Sequence, residues 1–363
     1  MDTAARTSLS FRVLDAARPA DRHAWLDLWH AWPARDVNAH PGYVALFARP
    51  ADRVLCASAR LAEGGILYPF VLRPLAAEPW ASPDAPEWDM TGPYGYAGPF
   101  AWGADELDAE AFWTAFDRWA SDTHVVCSFD RLSPFAEQRL PRFPGDIHPR
   151  GTIIVRRLDL TEEELRASYE NKVRRNVRRA TEAGLRVEVD PEASRRAEFQ
   201  AVYASTMDRR NASDAYRFPA AFFDRLFHDL AAQVLLVHAV KDGRVVSSDL
   251  CLLSARVVYA FLGGTEPDGL RCGANDLVKH ETFRWCLQRG MSAYVLGGSH
   301  REGDGLRRYK LSFAPDGERP FHVGVRTFDD DRLERLAARR RAWSASRGTE
   351  PPSGSHFFPP YRG

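Results

Sequence analysis

Lysine is almost absent from this chain of 363 residues. Lys172, Lys241, Lys279 and Lys310 are the four among 49 basic residues, so arginine supplies nearly all of the positive charge. A lysine in such a setting marks a place where a compact ammonium on a flexible stem serves better than a wide, planar guanidinium. Long apolar runs are missing as well. Nothing approaches the ~18 residues of a membrane span, and the opening MDTAARTSLSFRVLD has no apolar signal core, which predicts a cytoplasmic protein. The five cysteines are scattered, with no CxxC or His/Cys ligand spacing. They predict free thiols in a reducing compartment and no metal. Net charge is also lacking, yet the zero is a sum of unequal parts: residues 1–150 carry 14 basic and 20 acidic side chains, and the remainder 35 and 29. A polyanion would find its better surface in the second part.

What is present is one plan written twice. RVLCASARLA and GILYPFVLRPL alternate as strands and meet at Glu63-Gly64-Gly65, a hairpin signal. The Pro/Gly-rich EWDMTGPYGYAGPF follows, then a helical DELDAEAFWTAFDRWASD and the strand-like HVVCSF. Further on, VLLVHAV and VVSSDLCLL flank KDGR, a turn built on Asp-Gly. The strand VVYAFLGG, a loop TEPDGLRCG, the helix ANDLVKHETFRWCLQRG and the strand SAYVLGG complete the second copy. Hairpin, loop, helix and strand in the same order twice predict two similar α/β modules in tandem, near 1–150 and 151–325. Between them, LTEEELRASYENKVRRNVRRATEAGL reads as a helix opened by a Thr161/Glu164 capping box and closed at Gly184. Its apolar stripe, Tyr169, Val173, Val177 and Ala180, is narrow, and the rest is arginine. The tail 346–363 is rich in Pro and Gly and reads as disordered.

The strand–loop–helix crossover of the second module places a helix N-terminus, a natural phosphate seat, after Leu270-Arg271-Cys272-Gly273-Ala274-Asn275. An acetyltransferase of the GNAT fold carries Q/R-x-x-G-x-G/A there for the CoA pyrophosphate. Leu270 and Asn275 break that pattern. Taken in order, PYGYAGP, NKVRRNVRRATEAGL, YASTMDRRNASDAYRFP, GGTEPDGLRCGAN, YVLGGS and GLRRYKLSF resemble the Fem-type family of the GNAT superfamily, with its FemAB-like and BioF2-like relatives. The resemblance spans most of residues 50–325. It implies an α/β (α+β) fold of two tandem GNAT-like domains, the acyl-CoA N-acyltransferase fold, with a central cleft. It also implies a C-terminal helix, 328–345, that returns to the first domain.

The family's best-known members move an amino acid from aminoacyl-tRNA to an amine of a peptidoglycan precursor, and other relatives decorate small natural products. The function implied here is therefore an aminoacyl-tRNA-dependent aminoacyltransferase, with no bound cofactor and tRNA as co-substrate. The alternative is an N-acyltransferase using acetyl-CoA or another acyl-CoA; a third reading is a binding module that kept the fold. Lys310, in RRYKLSF, matches a lysine that the family places after the strand YVLGGS. An ammonium there can stabilise the oxyanion of acyl transfer. We read RRYKLSF as a strand or strand edge, with Lys310 on the same face as Arg308. The resemblance further implies Arg209 and Tyr216 as acceptor contacts, Tyr94 and Tyr96 as the facing wall, and Asp89 as an amine anchor. Gly264, Thr265, Asn275 and Ser299 complete the implied substrate site. Lys172, Arg175 and Arg179 of the basic helix are the candidates for tRNA phosphates. His280, His300 and Cys272 read as structural.

Overall fold

The computed structural model describes residues 9–298, 305–349 and 358–362. The strands, in chain order, are β1 (Ser10–Asp15), β2 (Arg53–Leu61), β3 (Gly64–Pro74), β4 (Trp88–Thr91), β5 (Phe100–Trp102), β6 (Val125–Arg131) and β7 (Asp146–Arg157). They continue with β8 (Arg186–Asp190), β9 (Val234–Lys241), β10 (Arg244–Leu253), β11 (Val257–Thr265), β12 (Ala293–Gly298) and β13 (Glu318–Thr327). Two compact units contain them: residues 1–33, 38–150 and 321–363 in one, and residues 34–37 and 151–320 in the other. The chain passes from the first unit to the second within β7 and returns within β13.

The first unit has the strand order β1-β2-β3-β4-β6-β13, with β5 on β3. Its β4 and β6 are parallel and joined through the helix Glu106–Asp122. The second unit has the order β8-β9-β10-β11-β12-β7, with β11 and β12 parallel and joined through the helix Ala274–Gln288. The two orders correspond strand for strand. Each unit is closed by the strand that follows the other in sequence, β13 in the first and β7 in the second, both antiparallel to their neighbours.

Local chemistry explains the elements. Asp242 and Gly243, both at positive φ, make the tight turn of the β9–β10 hairpin. Asp105 caps the helix Glu106–Asp122 by accepting from the backbone of Leu107 and Asp108. Phe112, Trp113 and Phe116 of that helix are buried beside Tyr68 and Phe70 of β3, and these rings form the first unit's core. The capping box of Thr161 and Glu164 is in place, but the expected single helix is two, Glu162–Ala167 and Asn171–Glu182. The break lets Tyr169 turn inward to His280 and Phe313. Gly184, at φ +76°, ends the second helix, and Leu185 N–H donates to the Ala180 carbonyl, the six-to-one bond of a Schellman motif.

Two expectations need correction. RRYKLSF is not a strand: Gly305–Phe313 is a helix. Tyr309 and Phe313, four apart, stack edge to face and pack toward Tyr169 and Phe283, a helical spacing that the aromatic content of the stretch conceals. The tail is ordered at its end. Tyr361 is 1 % exposed, against Trp80 and the Cys127 thiol, in a cluster that includes Leu336 of the helix Asp330–Ser346. Among the described residues, no helix is long and apolar enough to cross a membrane and no group of side chains could hold a metal ion.

Candidate functional site

In the second unit, β11 and β12 pair over Val257–Tyr259 and Ala293–Val295, and then part. Each carries an extra residue at that point. Phe261 is the extra residue opposite Leu250 and Cys251 of β10, and Leu296 the extra residue opposite Val155 and Ile154 of β7. A bulge bends its strand and strengthens the local twist, so two bulges at one level open the sheet. Among the described residues the two strands do not pair with each other beyond Tyr259 and Val295, and edges parted in this way can bind an extended ligand.

The side chains around the opening are specific. On its helix face, Lys279 is 6 % exposed, and its ammonium donates to Asp249 Oδ2 (2.6 Å) and to the Tyr294 hydroxyl (3.0 Å). Burial opposes the lysine's charge, but Asp249 outweighs it and holds the ammonium pKa above its ordinary value. Asp249 Oδ1 reaches across Gly263, where an added Cβ would stand 2.5 Å from it. The helix Gly305–Phe313 crosses the end of β12. Lys310 donates its ammonium to the Gly298 carbonyl, and Tyr309 donates its hydroxyl to that of Asn275 (3.4 Å). Gly297, at φ +81°, turns the strand there, and a Cβ on it would lie 3.5 Å from Lys310 Nζ. Lys310, Asn275, Asp249 and Lys279 thus gather at the opening. Asp249, Lys279, Tyr294 and Tyr309 were not expected from sequence; the rarity of lysine was the signal available for Lys279.

The phosphate seat is closed. The expected loop TEPDGLRCG is largely a helix, Pro267–Cys272, and Gly273 (φ +83°) is both its C-cap and the N-cap of Ala274–Gln288. A Cβ on Gly273 would meet the Asn176 carbonyl at 3.0 Å. Asn176 donates its amide to Asp276 Oδ2 (2.5 Å), and Arg179 donates to the Cys272 carbonyl (3.4 Å). The basic helix therefore lies against this helix start. Asp276, 3 % exposed, sets a buried carboxyl in the first turn of Ala274–Gln288, and its burial raises the pKa. Lys172 and Arg179 act on Asp276, whereas Arg175 faces away, with Arg174, Arg178 and Arg166, into a shallow hollow of about 530 Å³ on the opposite side.

The remaining expected residues are dispersed. Asp89 is fully buried and matched by Arg73 (2.7 Å) and Arg362 (2.8 Å), so no amine can reach it. Gly264 admits the helix Arg196–Arg209 rather than a ligand: a Cβ there would meet the Val202 carbonyl at 2.6 Å. Thr265 accepts from Arg209 at its carbonyl (2.7 Å) and bonds Ser247 through its hydroxyl (2.8 Å), which ties that helix to β11. Tyr216 accepts from the Tyr203 hydroxyl at its carbonyl. In the first unit, Tyr94 is exposed, its carbonyl accepting from Tyr43, and Tyr96 packs edge to face on Phe321. Ser299 and His300 lie outside the described residues. Ser248, His238 and Asp190 resemble a nucleophilic triad, with Ser248 2.9 Å and Asp190 3.5 Å from the imidazole. Ser248 and His238 are both 0 % exposed, which leaves a substrate no way in.

Residues 167–311 match the family model described as an acetyltransferase (GNAT) domain. No curated protein sequence matches the chain. Among solved structures, that of FemX superposes with a TM-score of 0.61 at 12% identity, over 84% of this chain and 95% of that one. The C-terminal domain (DUF2156) of an Agrobacterium fabrum protein that carries the name of a lysylphosphatidylglycerol synthetase gives 0.51 at 16% identity, over 84% and 91%. A conserved protein of unknown function from Bacteroides thetaiotaomicron gives 0.51 at 11%, over 87% and 98%. At these identities the likeness is one of fold: the chain has a mixed α/β fold of the GNAT type, and the match to the acetyltransferase (GNAT) domain model lies within its second unit.

Proposed function

We propose that this protein is an acyltransferase whose donor is an aminoacyl-tRNA and whose acceptor is an amine. The observation that carries the reading is the closed phosphate seat. Asp276 in the first turn of Ala274–Gln288, with Asn176 and Arg179 packed across it, sets a carboxyl and two side chains against the helix start on which a CoA pyrophosphate would depend. The opening between β11 and β12 remains, and an activated ester entering it would need no nucleophilic side chain. The acceptor nitrogen attacks the ester carbonyl, a tetrahedral oxyanion forms, the C–O bond breaks, and the ribose hydroxyl leaves with the proton lost by the amine. Lys310, at the end of β12, is the candidate to stabilise the oxyanion. The shared fold with FemX, and with a domain whose name couples lysyl groups to phosphatidylglycerol, favours aminoacyl over acetyl transfer.

Calorimetric titration and a transfer assay test the donor. Acetyl-CoA should bind weakly or not at all, and charged tRNA should lose its amino acid only when enzyme and an amine are both present. Micromolar CoA binding, or acetyl transfer to the same amines, would refute the proposal.

A further inference from the structure

On one face of the first unit's sheet, charges are matched almost one for one. Arg73 and Arg362 share Asp89, Arg362 and Arg49 share Glu78, and Arg49 also holds Asp52. Arg131, at the end of β6, breaks the pattern. Its guanidinium lies over the Phe129 ring, 5.1 Å from the centroid, and has neither a hydrogen bond nor an ion pair among the described residues. It is half-buried, with its nitrogens still reached by solvent. Asp130, its neighbour in sequence, points to the other face of the sheet and accepts from Tyr68 (2.8 Å). Burial lowers the Arg131 pKa; Tyr94, Tyr43 and Asp130 act against that shift and Arg73 adds to it, so these groups stand around it.

A guanidinium partly withdrawn from water, with Asp130 acting on it from across the sheet and no carboxylate bonded to it on its own face, gains from a ligand that supplies the charge there. The surroundings suit one. Tyr43 donates to the Tyr94 carbonyl (2.7 Å), which fixes the loop, while the Tyr94 ring stays 46 % exposed beside Phe47. Gly95, at φ +86°, lets that loop turn past the Tyr43 hydroxyl, with a Cβ there only 3.2 Å from it. We infer that Arg131 is the anchor of a binding site for an anionic oxygen group, a carboxylate or phosphate, on a small molecule whose flat or apolar part rests on Tyr94. Arg fits both groups bidentately. The inference concerns the first unit and stands whatever the donor is.

The test is thermal unfolding and titration calorimetry with inorganic phosphate and, separately, citrate, each against sodium chloride at equal ionic strength. One or both should stabilise the wild type by more than the general salt effect, which the same salts exert on Arg131→Gln. The arm that responds identifies the group. Arg131→Gln should lose affinity roughly ten- to hundredfold, the scale of a charge-assisted pair, while its melting temperature in chloride stays equal or rises, because an unmatched charge has been removed. Arg131→Lys should retain part of the binding, and Tyr94→Ala should weaken it with the charge intact. An equal response to both anions in wild type and Arg131→Gln, or a marked loss of stability in that variant in chloride, would overturn the site.

Discussion

Single residues at the sheet opening carry separable duties. Lys310→Ala should lower kcat for aminoacyl transfer about 10²-fold, the scale of one lost oxyanion donor, with a small change in melting temperature. Lys310 is half-buried, and its ammonium donates to a strand-end carbonyl. Near-normal turnover of that variant at saturating donor and acceptor would remove Lys310 from the chemistry. Gly263→Ala tests the neighbouring cluster. Its methyl would fall 2.5 Å from Asp249 Oδ1, and Asp249 is held by Lys279, so the carboxylate cannot yield freely. A loss of about 1–3 kcal/mol is expected, the usual cost of overpacking. Gly264→Ala should cost more, because its contact is the Val202 backbone rather than a side chain. Chemical denaturation of the two variants would rank them, and a harmless Gly264→Ala would contradict the packing described.

At the scale of elements, the basic helix Asn171–Glu182 divides its charges. Arg179 is engaged with Cys272 and Asn176, and Lys172 acts on Asp276, so neither is as available to a polyanion as composition suggested. Arg175 and Arg178 border the hollow on the other side of the helix. If tRNA crosses this helix, replacing Lys172, Arg175 and Arg179 by Gln should reduce the slope of log affinity against log salt by about one rather than three. A slope unchanged by the triple substitution would make this a solvated face. The repeated plan was legible because hairpins and amphipathic helices announce themselves locally, as at Asp242-Gly243 and in Phe112, Trp113 and Phe116. The opening between β11 and β12 was not, because it depends on two bulges, at Phe261 and Leu296, whose register is set by β10 and β7 from elsewhere in the chain. Asp89 was misread for a related reason. Its partner Arg362 is 273 residues away, in a tail whose Pro/Gly content signals disorder until Tyr361 finds its pocket.

Over the whole molecule, the two units should respond to pH with opposite sign. In the second, burial lowers the pKa of His280 to about 4, and the Tyr169 hydroxyl sits on its Nδ1. Burial lowers that of His238 as well. The unfolded chain takes up these protons near pH 6.5 while the folded one does not, so stability is full above 6.5 and falls as pH drops toward 4. In the first unit, Asp130 is fully enclosed, and burial raises its pKa to about 7 despite the Tyr68 hydrogen bond. The folded state then holds a proton that the unfolded state releases near pH 4, so stability falls as pH rises from 4 to 7 and the penalty is complete above 7. His280→Gln should therefore raise the melting temperature relative to wild type at pH 5 and leave it nearly unchanged at pH 7.5. The relief at pH 5 is on the order of 2 kcal/mol, from 1.36 kcal/mol per pH unit. Asp130→Asn keeps an oxygen to accept from Tyr68 and should do the reverse, with the larger gain at pH 7.5. Scanning calorimetry of wild type and both variants at the two pH values checks the signs together. A gain for Asp130→Asn that is larger at pH 5 than at 7.5 would mean that this carboxyl is ionised in the folded protein and that its burial is matched by a charge.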